Sequence, residues 1–130
     1  MIKVFEGKYD KSKFYSIMGK YFAEPRYKKE LPYLVNRDNT IWFINITKGE
    51  VLAFGSLEES KNKITFTEDY FEKDIRSFKT VLKAKMEYLK DNKKPIETAT
   101  SNPKIEKELL KIGFTKYRET TNYVFLHKEC

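Results

Sequence analysis

Cysteine occurs once in this chain of 130 residues, as the final residue, and histidine occurs once, at His127. One cysteine excludes an internal disulfide and any cysteine-based zinc site. Nothing near Cys130 in the sequence would lower its pKa, so it is a poor nucleophile. One histidine leaves no material for a histidine triad or a His-rich metal centre, and no metal is expected. Long apolar runs are missing too: the stretches 41 to 44 and 51 to 54 are the longest, too short for a membrane span or the apolar stretch of a signal peptide. A cytoplasmic protein with no membrane partner is the expectation. Chemistry, if present, must rest on carboxylates, Tyr, Ser, Thr, Lys, backbone groups or a borrowed cofactor.

What is present suits one domain, residues 1 to 130, with a real core: 40% of residues are hydrophobic and 15% aromatic. The formal charge is +7, unevenly spread. Residues 8 to 37 hold eight Lys or Arg against three acids, 50 to 74 hold three against seven, and 76 to 94 hold seven against two. An acidic middle lies between basic flanks. Such flanks favour anionic partners, nucleic acid or nucleotide phosphates, or serve as solvated helix faces.

Along the chain, Ile2 to Phe5 reads as a strand. Phe14, Ile17, Met18, Tyr21 and Phe22 then recur at helical spacing after a capping Asp10, which predicts a helix over 11 to 23 ended by Pro25. A short second helix or loop follows around Tyr27 and Leu31. "TIWFINIT", "VLAFGSLEE" and "KITFTEDYF" are three strands, the first two joined by a Lys-Gly turn, and they imply an antiparallel meander. From Glu72 the period changes, and Ile75, Phe78, Val81, Leu82, Met86 and Leu89 share one face of a helix of about five turns. "IETAT" is a strand, Asn102 caps a short helix with Pro103 at its first position and Gly113 at its end, and "NYVFLHK" closes the chain as a strand. The expected order is β-α-α-β-β-β-α-β-α-β. Strands flanking the long helix run parallel in a mixed sheet, and ligands favour the carboxyl ends of such strands.

This order, with "TSNPKIEKELLKIGF" and a closing strand, resembles the GCN5-related N-acetyltransferase (GNAT) family, whose members transfer an acyl group from coenzyme A to an amine. Asn102, Gly113 and Phe114 match the family's last helix. The resemblance implies an α+β fold of α/β/α layers, acetyl-CoA as donor, and direct transfer without a covalent enzyme intermediate. Two departures stand out. The family's glycine-rich pyrophosphate loop falls here on "YFEKDIRSFKTVLKA", which has no glycine; Arg76, Ser77, Lys79 and Thr80 either replace its backbone contacts or are ordinary helix-surface residues. With Asn102, these are the candidate coenzyme-binding residues. The family's thiolate-protonating tyrosine falls on Leu109, so Tyr123, Tyr117 or Ser101 would have to serve as the acid.

The family often carries its base on the third meander strand. Strict alternation there puts Ile64, Phe66, Glu68 and Tyr70 on one face and Thr65, Thr67, Asp69 and Phe71 on the other. Glu68 is the first candidate base and Asp69 the second. The acceptor is an amine on nucleic acid, protein or another molecule; "YFAEPRYKKELPY", alternating aromatics with cations, suits stacking on bases or is a solvated basic loop. The Lys-, Ile-, Asn- and Phe-rich composition suggests a low-GC bacterial or phage protein, and some phage relatives of this fold modify DNA bases. Two further classes stay open: a degenerate basic module of the same fold binding nucleic acid or a host protein, and a structural or inhibitory protein. Monomer and homodimer are both compatible with the sequence.

Overall fold

The computed structural model describes residues 1–129; Cys130 lies outside the described residues. Eleven elements follow in order: β1 (Ile2–Phe5), α1 (Lys11–Ala23), α2 (Pro25–Glu30), β2 (Ile41–Thr47), β3 (Glu50–Glu59), β4 (Ile64–Phe71), α3 (Ile75–Tyr88), β5 (Ile96–Thr100), α4 (Pro103–Lys111), β6 (Thr115–Glu119) and β7 (Val124–Lys128). Helix α1 matches the expected bounds, and Asp10 caps it by accepting from the Ser12 N–H. Helix α3 is shorter than expected: its cap is Asp74 and its 14 residues make about four turns. Lys48 and Gly49 both adopt positive φ, which lets the β2–β3 hairpin close in two residues.

The strands form one mixed sheet in the order β1-β2-β3-β4-β5-β7-β6. Only β4 and β5 run parallel, across the α3 crossover. Strand β6 is absent from the expected order, which ended in a single strand. All five of its residues are exposed, and it sits at the sheet's rim with Lys116, Arg118 and Glu119 on it. An edge strand of this kind has no apolar face to alternate, so its sequence carries no strand period.

Helices cover both faces. Phe14, Met18, Tyr21 and Tyr27 of α1 and α2 pack on Trp42, Ile44, Val51 and Phe54. On the opposite face Phe78, Val81 and Leu82 of α3 and Ile105 and Leu109 of α4 pack on Phe43, Ala53, Leu57, Phe66, Ile96 and Leu126. Glu72, just past β4, accepts hydrogen bonds from the Tyr21 and Tyr27 hydroxyls at 3.1 and 2.9 Å and so ties α1 and α2 to the end of that strand.

Two register shifts break the alternation of the meander, and the second is decisive. Ser56 pairs with Glu68 but Leu57 pairs with Phe66, so Thr67 is an extra residue on β4. Its hydroxyl lies 2.6 Å from that of Ser56. An inserted residue reverses facing for everything after it. Ile64 and Phe66 therefore lie on the α3 face together with Phe71, while Tyr70 packs on the α1 face. This corrects the strict alternation: Glu68 and Tyr70 share no face with Ile64 and Phe66, and Asp69 points to the α3 side.

Gly55, opposite Asp69 on β3, lies under this segment. A Cβ there would meet the Asp69 Oδ1 at 2.5 Å and the Lys85 Cε at 2.7 Å. Gly55→Ala is expected to lower the unfolding free energy by about 1–3 kcal/mol, read as a lower urea midpoint at unchanged slope.

Candidate functional site

Strands β4 and β5 share only three paired positions, Ile64–Ile96, Thr65–Glu97 and Phe66–Thr98. The Thr98 hydroxyl donates to the Phe66 carbonyl at 3.3 Å where the pairing ends. Beyond it β4 stays paired to β3 and β5 to β7, so the two strands part. The bulge at Thr67 is the cause, because it bends β4 within its own ladder. The cleft that opens has a volume of about 1030 Å³ and is lined by Glu68, Asp69 and Tyr70 on one wall and by Thr100, Ser101 and Asn102 on the other. Glu30 and Tyr33 from the α2 side and Tyr123 from the β6–β7 turn close it over.

The backbone of β4 contributes to this cleft. The Glu72 N–H bonds the Leu52 carbonyl at 3.0 Å, which fixes the phase of the β3–β4 ladder. Antiparallel alternation then directs the N–H groups of Asp69 and Phe71 away from β3, toward the gap.

Glu68 faces the α1–α2 side beside Ser56. Burial, and then the negative charge of Asp69, push its carboxyl up to about 7, against the opposing pull of the Asp69 N–H and the Lys85 charge. A carboxyl titrating there can gain or lose a proton near neutrality. Asp69 is placed differently. Its carboxylate is bonded to the Lys85 ammonium at 2.6 Å, and the side chains of this pair are 5% and 0% exposed. Burial pushes the Asp69 carboxyl up and the Lys85 ammonium down, each opposed by its partner's charge. Tyr123 lies in the turn before β7, with its ring 6.1 Å from that of Tyr33. Its hydroxyl is pushed up by burial and then by Tyr33 and Glu68. Of the other two candidate acids, Ser101 and Tyr117 both line the cleft, whereas Leu109 is fully buried in the core.

The coenzyme-binding candidates are distributed unevenly. Asn102 lies at the cleft mouth and caps α4, its side-chain oxygen accepting from the Lys104 and Ile105 N–H groups. Arg76 is folded back on Asp74 through two bonds of 2.9 and 2.7 Å. The Ser77 hydroxyl reaches the Asp74 carbonyl at 2.6 Å, that of Thr80 approaches the Arg76 carbonyl at 3.4 Å, and the Lys79 ammonium lies 3.9 Å from Glu108. Only Asn102 of these five lines the cleft. Sequence reading passed over Lys104, which also lines it and whose charge lowers the Asp74 carboxyl, after Arg76 and desolvation have acted on it. The N-terminus of α4 thus faces the mouth with Lys104 beside it, and the Lys104 charge reaches Asp74, the cap of α3.

Lys85 was missed as well, although its signal was present: it falls at the centre of the apolar stripe 78, 81, 82, 89. Among the described residues no cluster of ligating side chains suits a metal ion, and no helix is long and apolar enough to cross a membrane.

No protein-family model matches this chain, and no curated protein does. Solved structures do. The chain has the GNAT fold, a seven-stranded mixed sheet with helices on both faces. It is similar to Escherichia coli ElaA at 12% identity and a TM-score of 0.72, over 99% of this chain and 100% of that one. An acyl-CoA N-acyltransferase from Pseudomonas aeruginosa is matched at 9% identity and a TM-score of 0.75, over 98% of both chains. The paiA N-acetyltransferase of Thermoplasma acidophilum, solved with coenzyme A, is matched at 11% identity and a TM-score of 0.61, over 100% of this chain and 99% of that one.

Glu68 holds its proton to higher pH in the folded protein than at the ordinary value of 4.5. Its stabilising contribution is therefore full below about 4.5 and lost as pH rises through about 7. Glu68→Gln is expected to be more stable than the parent at pH 8, by up to about 3 kcal/mol, with the difference vanishing near pH 4. Urea unfolding of both proteins across that range measures it.

Proposed function

We propose that the protein is an acyl-CoA-dependent N-acyltransferase, acetyl-CoA its donor, with Glu68 as general base. The observation that carries this reading is the parting of β4 from β5 at the Thr67 bulge, with a carboxyl titrating near 7 on one side of the gap and the α4 N-terminus at its mouth. A narrow gap edged by strand backbone suits an extended amide-containing arm. The α4 N-terminus with Lys104, and Arg76 in the first turn of α3, suit a pyrophosphate. Side-chain cations and the backbone donors at the start of α4 stand in for the missing glycine loop.

An acyl thioester held in the gap supplies an activated carbonyl and a thiolate leaving group. The chain's own groups do the rest. The Phe71 N–H is directed to where the carbonyl oxygen gains charge, while the Asp69 N–H on the same edge holds the Glu68 carboxyl. The Glu68 carboxylate takes the proton that the acceptor ammonium must lose before its nitrogen bonds the acyl carbon. Tyr123, across the cleft from Glu68, returns a proton to the sulfur as the C–S bond breaks.

The lining also favours one acceptor class, a primary alkylammonium. Glu30 and Glu68 supply negative charge, with the Tyr70 hydroxyl holding Glu30 at 2.9 Å. Tyr33, Tyr70 and Tyr123 supply aromatic faces for a cation. Arg37, on the same lining, is 3.1 Å from Glu58 and largely neutralised by it. An ammonium on a small molecule or a lysine side chain fits this wall better than a polyanionic nucleic acid.

Isothermal titration with acetyl-CoA is the first test. Saturable binding is expected, weakened about tenfold in Arg76→Ala and in Lys104→Ala, and strengthened roughly threefold in Asp74→Ser, which keeps the α3 cap but removes its charge from the mouth. Turnover on a panel of primary alkylamines should fall by about 10²–10⁴-fold in Glu68→Gln with acetyl-CoA affinity unchanged. Absence of acetyl-CoA binding, with salt-dependent binding of single-stranded DNA instead, would overturn the reading in favour of a basic binding module.

A further inference from the structure

Lys85 stands in the middle of the apolar face of α3, where Phe78, Val81 and Leu82 bury against the sheet. A lysine on that face must repay a large desolvation cost, and a hydrocarbon side chain would fill the place without it. What the ammonium does there is specific. It bonds the Asp69 carboxylate at 2.6 Å, approaches the Glu68 carbonyl at 3.4 Å, and lies 4.0 Å from the centre of the Phe66 ring. Those three residues bracket Thr67, the extra residue of the bulge. Gly55 completes the arrangement, since any side chain on it would occupy the space of the pair.

The ammonium therefore grips β4 just after its break in register, from beneath the sheet, while Glu68 projects to the other face. A strand with one surplus residue can place that residue at more than one position along the ladder, and each choice reverses which residues face the cleft. Phe66 and Asp69 are three residues apart, so both can face Lys85 only when the surplus residue falls between them.

We propose that Lys85, with Asp69, is a positioning pair for acyl transfer: it selects the bulge at Thr67 and thereby fixes the aim of the Glu68 carboxylate, which the Asp69 N–H holds, and of the Phe71 N–H. The proposal rests on the acyltransferase reading above. The pair touches neither donor nor acceptor; it acts through the strand.

The test separates position from stability. Lys85→Met alone leaves Asp69 buried without a partner and is expected to destabilise the protein strongly. Lys85→Met combined with Asp69→Leu removes both charges and keeps apolar volume, and such replacements of buried pairs often leave stability equal or higher. The probe is acetyl-CoA carrying ¹³C at its carbonyl, bound to the parent and to the double variant, with thermal unfolding recorded on the same samples. In the parent the bound carbonyl resonance should move from its free position, as a polarised carbonyl does. In the double variant, folded and still binding, it should return most of the way to the free value, and turnover on the alkylamine panel should drop at least tenfold. If the resonance and turnover match the parent while the fold persists, the pair is structural only and the proposal is overturned. A double variant that does not fold also overturns it, because the pair is then required by the core itself. If the parent fails to bind acetyl-CoA, the acyltransferase reading falls and this proposal with it.

Discussion

A strand that carries one residue more than its neighbour cannot stay in register with neighbours on both sides. Strand β4 meets this constraint at Thr67. It keeps its ladder to β3 along its length and gives up its ladder to β5 after Phe66. Everything distinctive about the molecule descends from that choice: the cleft between parallel strands, the reversal that sends Glu68 toward α1 and α2 and Asp69 toward α3, and the need for a buried cation beneath the break. Hydrogen-bond satisfaction drives it, since backbone groups released from one partner must find another or face a space that something polar can enter.

The two faces of the sheet are held by different means, and this matters for the site. The α3–α4 face is an aliphatic and phenylalanine core with one charged pair set into it. The α1–α2 face is rich in aromatic rings, with Tyr21 beside Tyr27 and Phe54 at ring distances of 4.5 and 4.9 Å, and the Tyr21 and Tyr27 phenols end on Glu72. The first face fixes β4 from below by charge and close packing; the second anchors its far end by hydroxyl–carboxylate bonds. In the proposed acyl transfer a mobile Glu68 would serve badly as a base, and it sits between these two anchors.

Much of this was legible in the sequence because it obeys local periods. Helix α1, the Lys48–Gly49 turn, the Asn102–Pro103 helix start and the Gly113 stop each depend on residues within a few positions of one another, and each was found where expected. The parallel β4–β5 pair followed from one intervening helix. What escaped did so for identifiable reasons. A bulge is a relation between two strands, so Thr67 looks like any strand threonine until Ser56 is beside it. Strand β6 is solvated on both faces and has no apolar signature. Lys85 was visible as a break in the apolar stripe of α3, but its partner lay on another element, and only their meeting distinguishes a buried ion pair from a surface lysine. Lys104 was passed over because the mouth it borders exists only after β5 and β4 have parted.

The wall carrying Tyr123 differs from the rest of the cleft in one respect. It belongs to the turn of the outermost hairpin, whose first strand is exposed along its whole length and whose turn is closed by the Thr120 and Tyr123 backbone and hydroxyl bonds alone. Neither core includes it. Substitution, lengthening or shortening of that turn leaves the sheet's interior untouched, whereas the opposite wall is constrained by Gly55, Asp69 and Lys85 at once. The cleft thus joins a wall whose reshaping costs the core nothing to one that the core holds fixed, and divergence among chains of this architecture is expected to accumulate in the hairpin around Tyr123 first.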